Sequence, residues 1–369
     1  MVPKIPFRAD QVGSLLRPEP IKAARTALAE GRLDVDGLRE VEDRCIRELV
    51  TRQEAVGLRA VTDGELRRAW WHFDFLAGLE GIKLVRGTKT IQFQGVQTKA
   101  ETITVPGRIG FDGHPMLEDF RFLKSIANAV PKMTIPAPSV LHFRGGRAAI
   151  SDAVYPDLEK FFEDTAQAYR AVVKAFYDAG CRYLQFDDTV WAYLCSEKER
   201  QAGRKRGDDP EPLPRIYADM INHALAEKPY DMVVTTHVCR GNFRSSWIAE
   251  GGYEPVAEIL LSGTAYDGYF LEYDTERAGG FEPLRFLPSG DKRVVLGLIT
   301  SKTGKLESQD SLEARIEEAC HYADLNQFCL SPQCGFASTE EGNILSTEEQ
   351  WNKLKLVVDT AAAIWPLDP

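Results

Sequence analysis

The chain has 369 residues, 44% hydrophobic and 27% charged, with a net charge of −10 and a pI of about 5.3. That balance excludes the basic footprint expected of a nucleic-acid binder, and no stretch approaches the roughly 20 apolar residues of a membrane span. The N-terminal MVPKIPFRAD lacks the apolar run of a signal peptide. Seven scattered cysteines, an odd number, fit a reduced cytoplasm better than a disulfide framework.

Taken in order, short β-rich runs fall near residues 7–13, 59–62, 132–136, 182–186, 232–236, 268–271, 294–299 and 326–330. Between them lie amphipathic segments at 36–56, 157–179, 214–227, 311–323 and 347–363. In 157–179, Leu158, Phe161, Phe162, Thr165, Ala166 and Tyr169 recur at helical spacing, and Gly180 follows as a helix stop. Eight strands alternating with helices predict an α/β fold of the (β/α)8 TIM-barrel type, one catalytic domain over 1–369. No GxGxxG opens a first strand–helix turn, which weakens the alternative of an open dinucleotide-binding sheet. Residues 82–115 break the rhythm. They alternate like a hairpin and are expected to form an insertion between the second and third βα units, capping the barrel mouth, contacting a second copy in a homo-oligomer, or making a plain surface excursion. The basic run GRKRGDD at 203–209 is followed at once by acids and reads as a solvated loop.

Four potential metal ligands sit at or just past strand ends: His237 and Cys239 in TTHVCRGNF, Glu272 in GYFLEYD, and Cys334 in LSPQCGF. Residues two apart in extended chain point to one side, so imidazole and thiolate can converge on one ion. Barrel enzymes carry their active sites at the C-terminal ends of strands. Thiolate, imidazole and carboxylate are zinc ligands, and donors scattered over several strands suit a catalytic site better than the paired knuckles of a structural finger. The plain readings stand beside this one. A lone cysteine is commonly a small buried hydrophobe, His-x-Cys alone is a weak pattern, and Asp274 competes with Glu272. Cys45, Cys181, Cys195, Cys320 and Cys329 have no comparable placement.

QVGSLLRP, VTDGELRR, LQFDD, THVCRGN, FLEYD, VVLGLITSKTGKLE and SPQCGF together resemble the catalytic C-terminal barrel of cobalamin-independent methionine synthase and its single-barrel relatives. The match runs through most of the chain and keeps the order of the metal motifs. The resemblance implies Zn²⁺ on His237, Cys239, Glu272 and Cys334, with homocysteine sulfur binding the metal and attacking a methyl donor to give methionine. It also implies that Ser14 lies in the segment holding the amino-acid carboxylate, and that Glu65 and Asp187 bind the ammonium. Without it, Ser14 reads as a turn residue, Glu65 as a helix-start acid and Asp187 as a helix cap.

Three departures bear on the donor. The full-length enzyme has a second, N-terminal barrel that helps hold polyglutamylated folate, and this chain has no room for it. The family histidine thought to protonate the leaving folate is missing from LGLITSKTGKLE, where Lys302 lies near that position as a candidate acid or anion partner. Asp187-Asp188-Thr189 stands where the family has Asp-Glu-Pro. The methyl donor is therefore methyl-folate, a simpler methylated compound or a methylcobalamin protein. An epoxyalkane:coenzyme M transferase-like thiol alkylation would need cations for a sulfonate, with Arg17, Arg240 and Lys302 as candidates; a non-catalytic thiol- or zinc-binding barrel is the third reading. Trp70, Trp71, Phe73, Trp191 and Tyr193 are candidates for the wall of a donor pocket.

Overall fold

The computed structural model describes residues 4–86, 92–93, 96–97, 101–242 and 246–366. Its framework is a curled, seven-stranded parallel sheet with strands in sequence order: β1 (Ala60–Val61), β2 (Val130–Pro136), β3 (Tyr183–Asp187), β4 (Val233–Val238), β5 (Gly268–Glu272), β6 (Arg293–Ile299) and β7 (Phe328–Pro332). From β3 on these strands are buried almost throughout. That explains why their sequences read as continuous apolar runs rather than alternating ones.

The expected eighth strand, at 7–13, is not one. It touches the sheet by a single parallel bridge, Ala9 to Leu330 of β7, and beyond it Leu15 N–H donates to Gly64 O at 3.0 Å, just past β1. The cause lies in Asp10. Its carboxylate takes the backbone N–H groups of Phe7 (3.2 Å) and Gln11 (2.8 Å), so local side-chain bonds replace a regular ladder. The segment thus lies between the two edges of the sheet, as TIM-type architecture requires.

The helical expectations agree closely with the structure: Val35–Val56, Leu158–Asp178, Leu213–Leu225, Gln309–Ala319 and Thr347–Ile364. Each boundary has a local cause. Asp34 caps the first through Gly37 N–H, Asp157 the second through Glu159 N–H, and Ser346 with Glu349 forms a capping box on the last. In the 82–115 region, Lys83–Arg86 pairs antiparallel with Glu101–Thr104, and Gln92–Phe93 with Val96–Gln97. The remainder of 87–100 lies outside the described residues. No helix among the described residues is long and apolar enough to cross a membrane.

Candidate metal centre and substrate cleft

The tops of β4, β5 and β7 bring His237, Cys239, Glu272 and Cys334 into one buried group, with ligand atoms all within 4.8 Å of one another. Cys239 Sγ and Cys334 Sγ are 3.6 Å apart, and His237 Nε2 is 3.7 Å from Glu272 Oε1. The backbone sets this arrangement. Glu272 ends β5, and its Oε1 accepts from Arg240 N–H at 3.1 Å. The loop carrying Cys334 is pinned by Gln333 N–H to Ile299 O (2.8 Å) and by Asn242 Nδ2 donating to Gly335 O (2.7 Å). Two glycines permit the close approach. A Cβ on Gly297 would meet Gln333 Cα at 2.7 Å, and one on Gly335 would meet Ser14 Oγ at 2.0 Å.

The electrostatics are those of a compact proton-sharing cluster. Cys334 is lowered to about 6 by the hydrogen bond from Cys239, and by His237 against the effect of burial. Cys239 is pushed well above the ordinary thiol value by the same bond and by burial. Burial acts to lower His237, but Asp187, Cys334 and Glu272 outweigh it and hold the imidazole well above its usual value. Glu272 falls to about 2: burial would raise it, and His237 and the Lys302 charge more than offset that. Glu272 Oε2 is buried without a hydrogen-bond partner among the described residues. An orphaned carboxylate oxygen is costly in a dry site, and a cation among the four donors would satisfy it. Two sulfurs, one imidazole and one carboxylate suit a borderline-soft tetrahedral ion, so the residues present fit zinc. Asp274 is outside the group; it pairs with Arg277 at 3.3 Å.

A cleft opens beside this cluster, and Ser14, Glu65 and Asp187 all line it. Glu65 has a left-handed backbone, φ +57°, directly after Gly64 at φ +67°. A non-glycine residue held there is strained, and such strain gathers at functional sites. Its carboxylate is buried, accepts from Thr134 Oγ1 at 2.9 Å and lies 3.6 Å from Arg68, while Oε2 has no hydrogen-bond partner among the described residues. Burial, opposed by Arg68, raises Glu65 to about 7. Asp187 Oδ1 lies 3.3 Å from His237 Nδ1 and accepts from Gln185 Nε2 at 2.8 Å. Ala337 N–H approaches Ser14 Oγ at 3.4 Å.

Other sequence candidates are divided by the fold. Trp70, Trp71 and Tyr193 line the cleft together with Arg144; Phe73 and Trp191 are buried in the core instead. Lys302 is not among the cleft-lining residues. Its Nζ is buried without a hydrogen-bond partner among the described residues, near enough for its charge to act on Glu272 and Asp274. Arg17 donates to four backbone carbonyls, those of Ala337, Thr339, Glu65 and Arg68. Arg240 donates to Gly251 O and lies over the Tyr253 ring. Arg17 is thus a structural guanidinium, which removes one of the three cations that a sulfonate-binding reading requires; Arg240 Nε and Nη2 are buried with no hydrogen-bond partner among the described residues, but Arg240 is not among the cleft-lining residues. Sequence reasoning missed Thr134, Arg68, Gln333 and Asn242. Asn242 was visible inside THVCRGN, but nothing in the motif announces a bond to a loop 93 positions away.

The family model for the cobalamin-independent synthase catalytic domain matches residues 7–363. The Bacillus subtilis protein YxjH is 52% identical over 98% of this chain and 96% of its own length. A crystal structure from Listeria monocytogenes, of a protein named as a vitamin-B12-independent methionine synthase candidate, is 46% identical with a TM-score of 0.80, covering 98% of each chain. A methionine synthase from Sulfurisphaera tokodaii is 22% identical over 88% of this chain and 84% of its own. With a model match spanning almost every residue and these two strands of likeness beside it, the chain belongs to the cobalamin-independent, methionine-synthase-like catalytic-domain family of methyltransferases.

Proposed function

We propose that this protein is a zinc-dependent S-methyltransferase whose acceptor is homocysteine or a close amino-acid thiol. The observation that carries the reading is the convergence of four buried donors on a cleft that also holds Ser14, Glu65 and Asp187. An α-amino-acid thiol needs a soft electrophile for sulfur, an anion for its ammonium and donors for its carboxylate. This cleft contains side chains suited to each.

His237, Cys239, Glu272 and Cys334 would hold the ion, and zinc there would supply the Lewis acidity that keeps an incoming thiol deprotonated at neutral pH. Two cysteine sulfurs and a carboxylate offset the ion's charge, so that the acceptor sulfur stays nucleophilic. Glu65 Oε2, buried and unpaired, and Asp187 receive the ammonium; Ser14 and the neighbouring backbone receive the carboxylate. Trp70, Trp71 and Tyr193 exclude water on the donor side. In the transfer the acceptor sulfur bonds to the methyl carbon as that carbon's bond to the donor atom breaks, the electron pair leaving with the donor. Lys302 is assigned to the departing donor, as proton source or anion partner, on the family resemblance of its segment alone, since it does not line the cleft. Alkylation of a sulfonated thiol is disfavoured because Arg17 is already committed to backbone carbonyls and neither Arg240 nor Lys302 is among the cleft-lining residues.

The test is a zinc-edge X-ray absorption spectrum of the zinc-loaded protein, without and with homocysteine. A new Zn–S contribution at about 2.3 Å is expected. A zinc spectrum unchanged by homocysteine sinks this acceptor. Methyl-folate and a methylcobalamin protein, assayed as separate donors, then identify the methyl source.

A further inference from the structure

Asp187 and His237 are register partners on adjacent parallel strands, β3 and β4, so their side chains leave the sheet side by side. The two oxygens of Asp187 have different surroundings. Oδ1 faces inward, 3.3 Å from His237 Nδ1, and accepts from Gln185 Nε2 at 2.8 Å. Gln185 is itself anchored, since its Nε2 also donates to Val12 O at 2.7 Å. Oδ2 has no hydrogen bond to any described residue, and Asp187 is part of the cleft wall.

A carboxylate only accepts hydrogen bonds. Facing Oδ1, the imidazole carries a proton on Nδ1, and its Nε2, 3.7 Å from Glu272 Oε1 and 3.3 Å from Gln333 O, is the nitrogen that would give up its proton to bind a metal. Outer partners of this kind fix the tautomer and ring orientation of a metal-binding histidine and raise its basicity.

We propose that Asp187 has two simultaneous jobs: through Oδ1 it positions His237 as a zinc ligand, and through Oδ2 it meets the ammonium of the amino-acid substrate. This rests on the zinc and amino-acid reading above and adds a physical link between them. The carboxylate that recognises the substrate is the one that orients the metal ligand. Asp187 is a positioning residue with respect to zinc. Glu65, bonded to Thr134 and facing Arg68, is an ammonium partner alone.

The experiment measures zinc affinity, by competition with a chromophoric chelator and with no substrate present, and the affinity of the zinc-loaded protein for L-methionine by calorimetry. Asp187→Ala, Asp187→Asn and Glu65→Gln are compared with the unaltered chain, each checked for folding by circular dichroism. Asp187→Ala is expected to weaken zinc binding about 10- to 100-fold and to lose methionine affinity. Asp187→Asn keeps an acceptor oxygen facing Gln185 and His237, so it should recover most of the zinc affinity but not the methionine affinity. Glu65→Gln should lose methionine affinity alone. Unchanged zinc affinity in Asp187→Ala overturns the proposal, as does an Asn variant no better than Ala, or full methionine affinity in either Asp187 variant. If the unaltered chain binds no zinc, the parent reading falls with it, a result distinct from any of these.

Discussion

The two ends of the sheet treat buried charge in opposite ways. Toward the N-terminal ends of the strands, Lys132 and Asp10 form an ion pair at 3.3 Å with both side chains fully buried. Lys132 Nζ also donates to Gln11 O at 2.6 Å and sits 4.0 Å from the centre of the Phe270 ring. Asp10 takes a further bond from Tyr183 OH at 2.9 Å. Toward the C-terminal ends, Glu65 Oε2, Glu272 Oε2 and Lys302 Nζ are buried yet lack hydrogen-bond partners among the described residues. A satisfied polar network rigidifies a core; an unsatisfied one calls for a ligand. Both ends carry buried carboxylates, so burial alone does not distinguish structure from function. What differs between these particular groups is whether their bonds are made.

The sharpest way to break the comparison is at the cleft end. Cys334→Ala is expected to abolish zinc retention and drop methyl transfer to background, while circular dichroism of the metal-free protein stays unchanged. Zinc content by elemental analysis beside a methyl-transfer assay checks this; full transfer by a folded, zinc-free variant would rule out the mechanism. The converse change is Lys132→Met. It strands the Asp10 carboxylate in the core and should cost about 3–5 kcal/mol in urea unfolding, with zinc content per folded molecule unaffected.

A smaller effect separates the ends by pH. Glu65 is raised by burial from 4.5 to about 7, so between those values the folded protein holds a proton that the unfolded chain releases. Stability therefore falls as pH rises through that window, and the loss is complete above pH 7. Glu65→Gln cannot titrate. Its stability relative to the unaltered chain should improve by up to about 3 kcal/mol from pH 4.5 to pH 8. Urea titrations of the metal-free proteins at the two pH values measure it, and a pH-independent difference contradicts the buried-acid reading.

Much of this protein was legible in the sequence. Apolar runs bounded by turn residues located seven parallel strands, and helical periodicity located the long helices, because each signal is local. His237 and Cys239 could be paired from two-residue spacing on one strand. Joining them to Glu272 and Cys334 rested on strand-end position under the barrel reading, which the family resemblance strengthened, and the structure brings all four within 4.8 Å. The tertiary structure alone decided three matters. Asp10 diverts the first segment from regular strand pairing, since its carboxylate competes for the backbone N–H groups of its neighbours. Arg17 is spent on four backbone carbonyls brought near it only by folding. Asp187 divides its oxygens between His237 and the cleft because β3 and β4 lie in register. Local patterns fix which segments form strands and helices; which side chain meets which partner, as Arg17 meets Thr339 O across 322 positions, is chosen by packing.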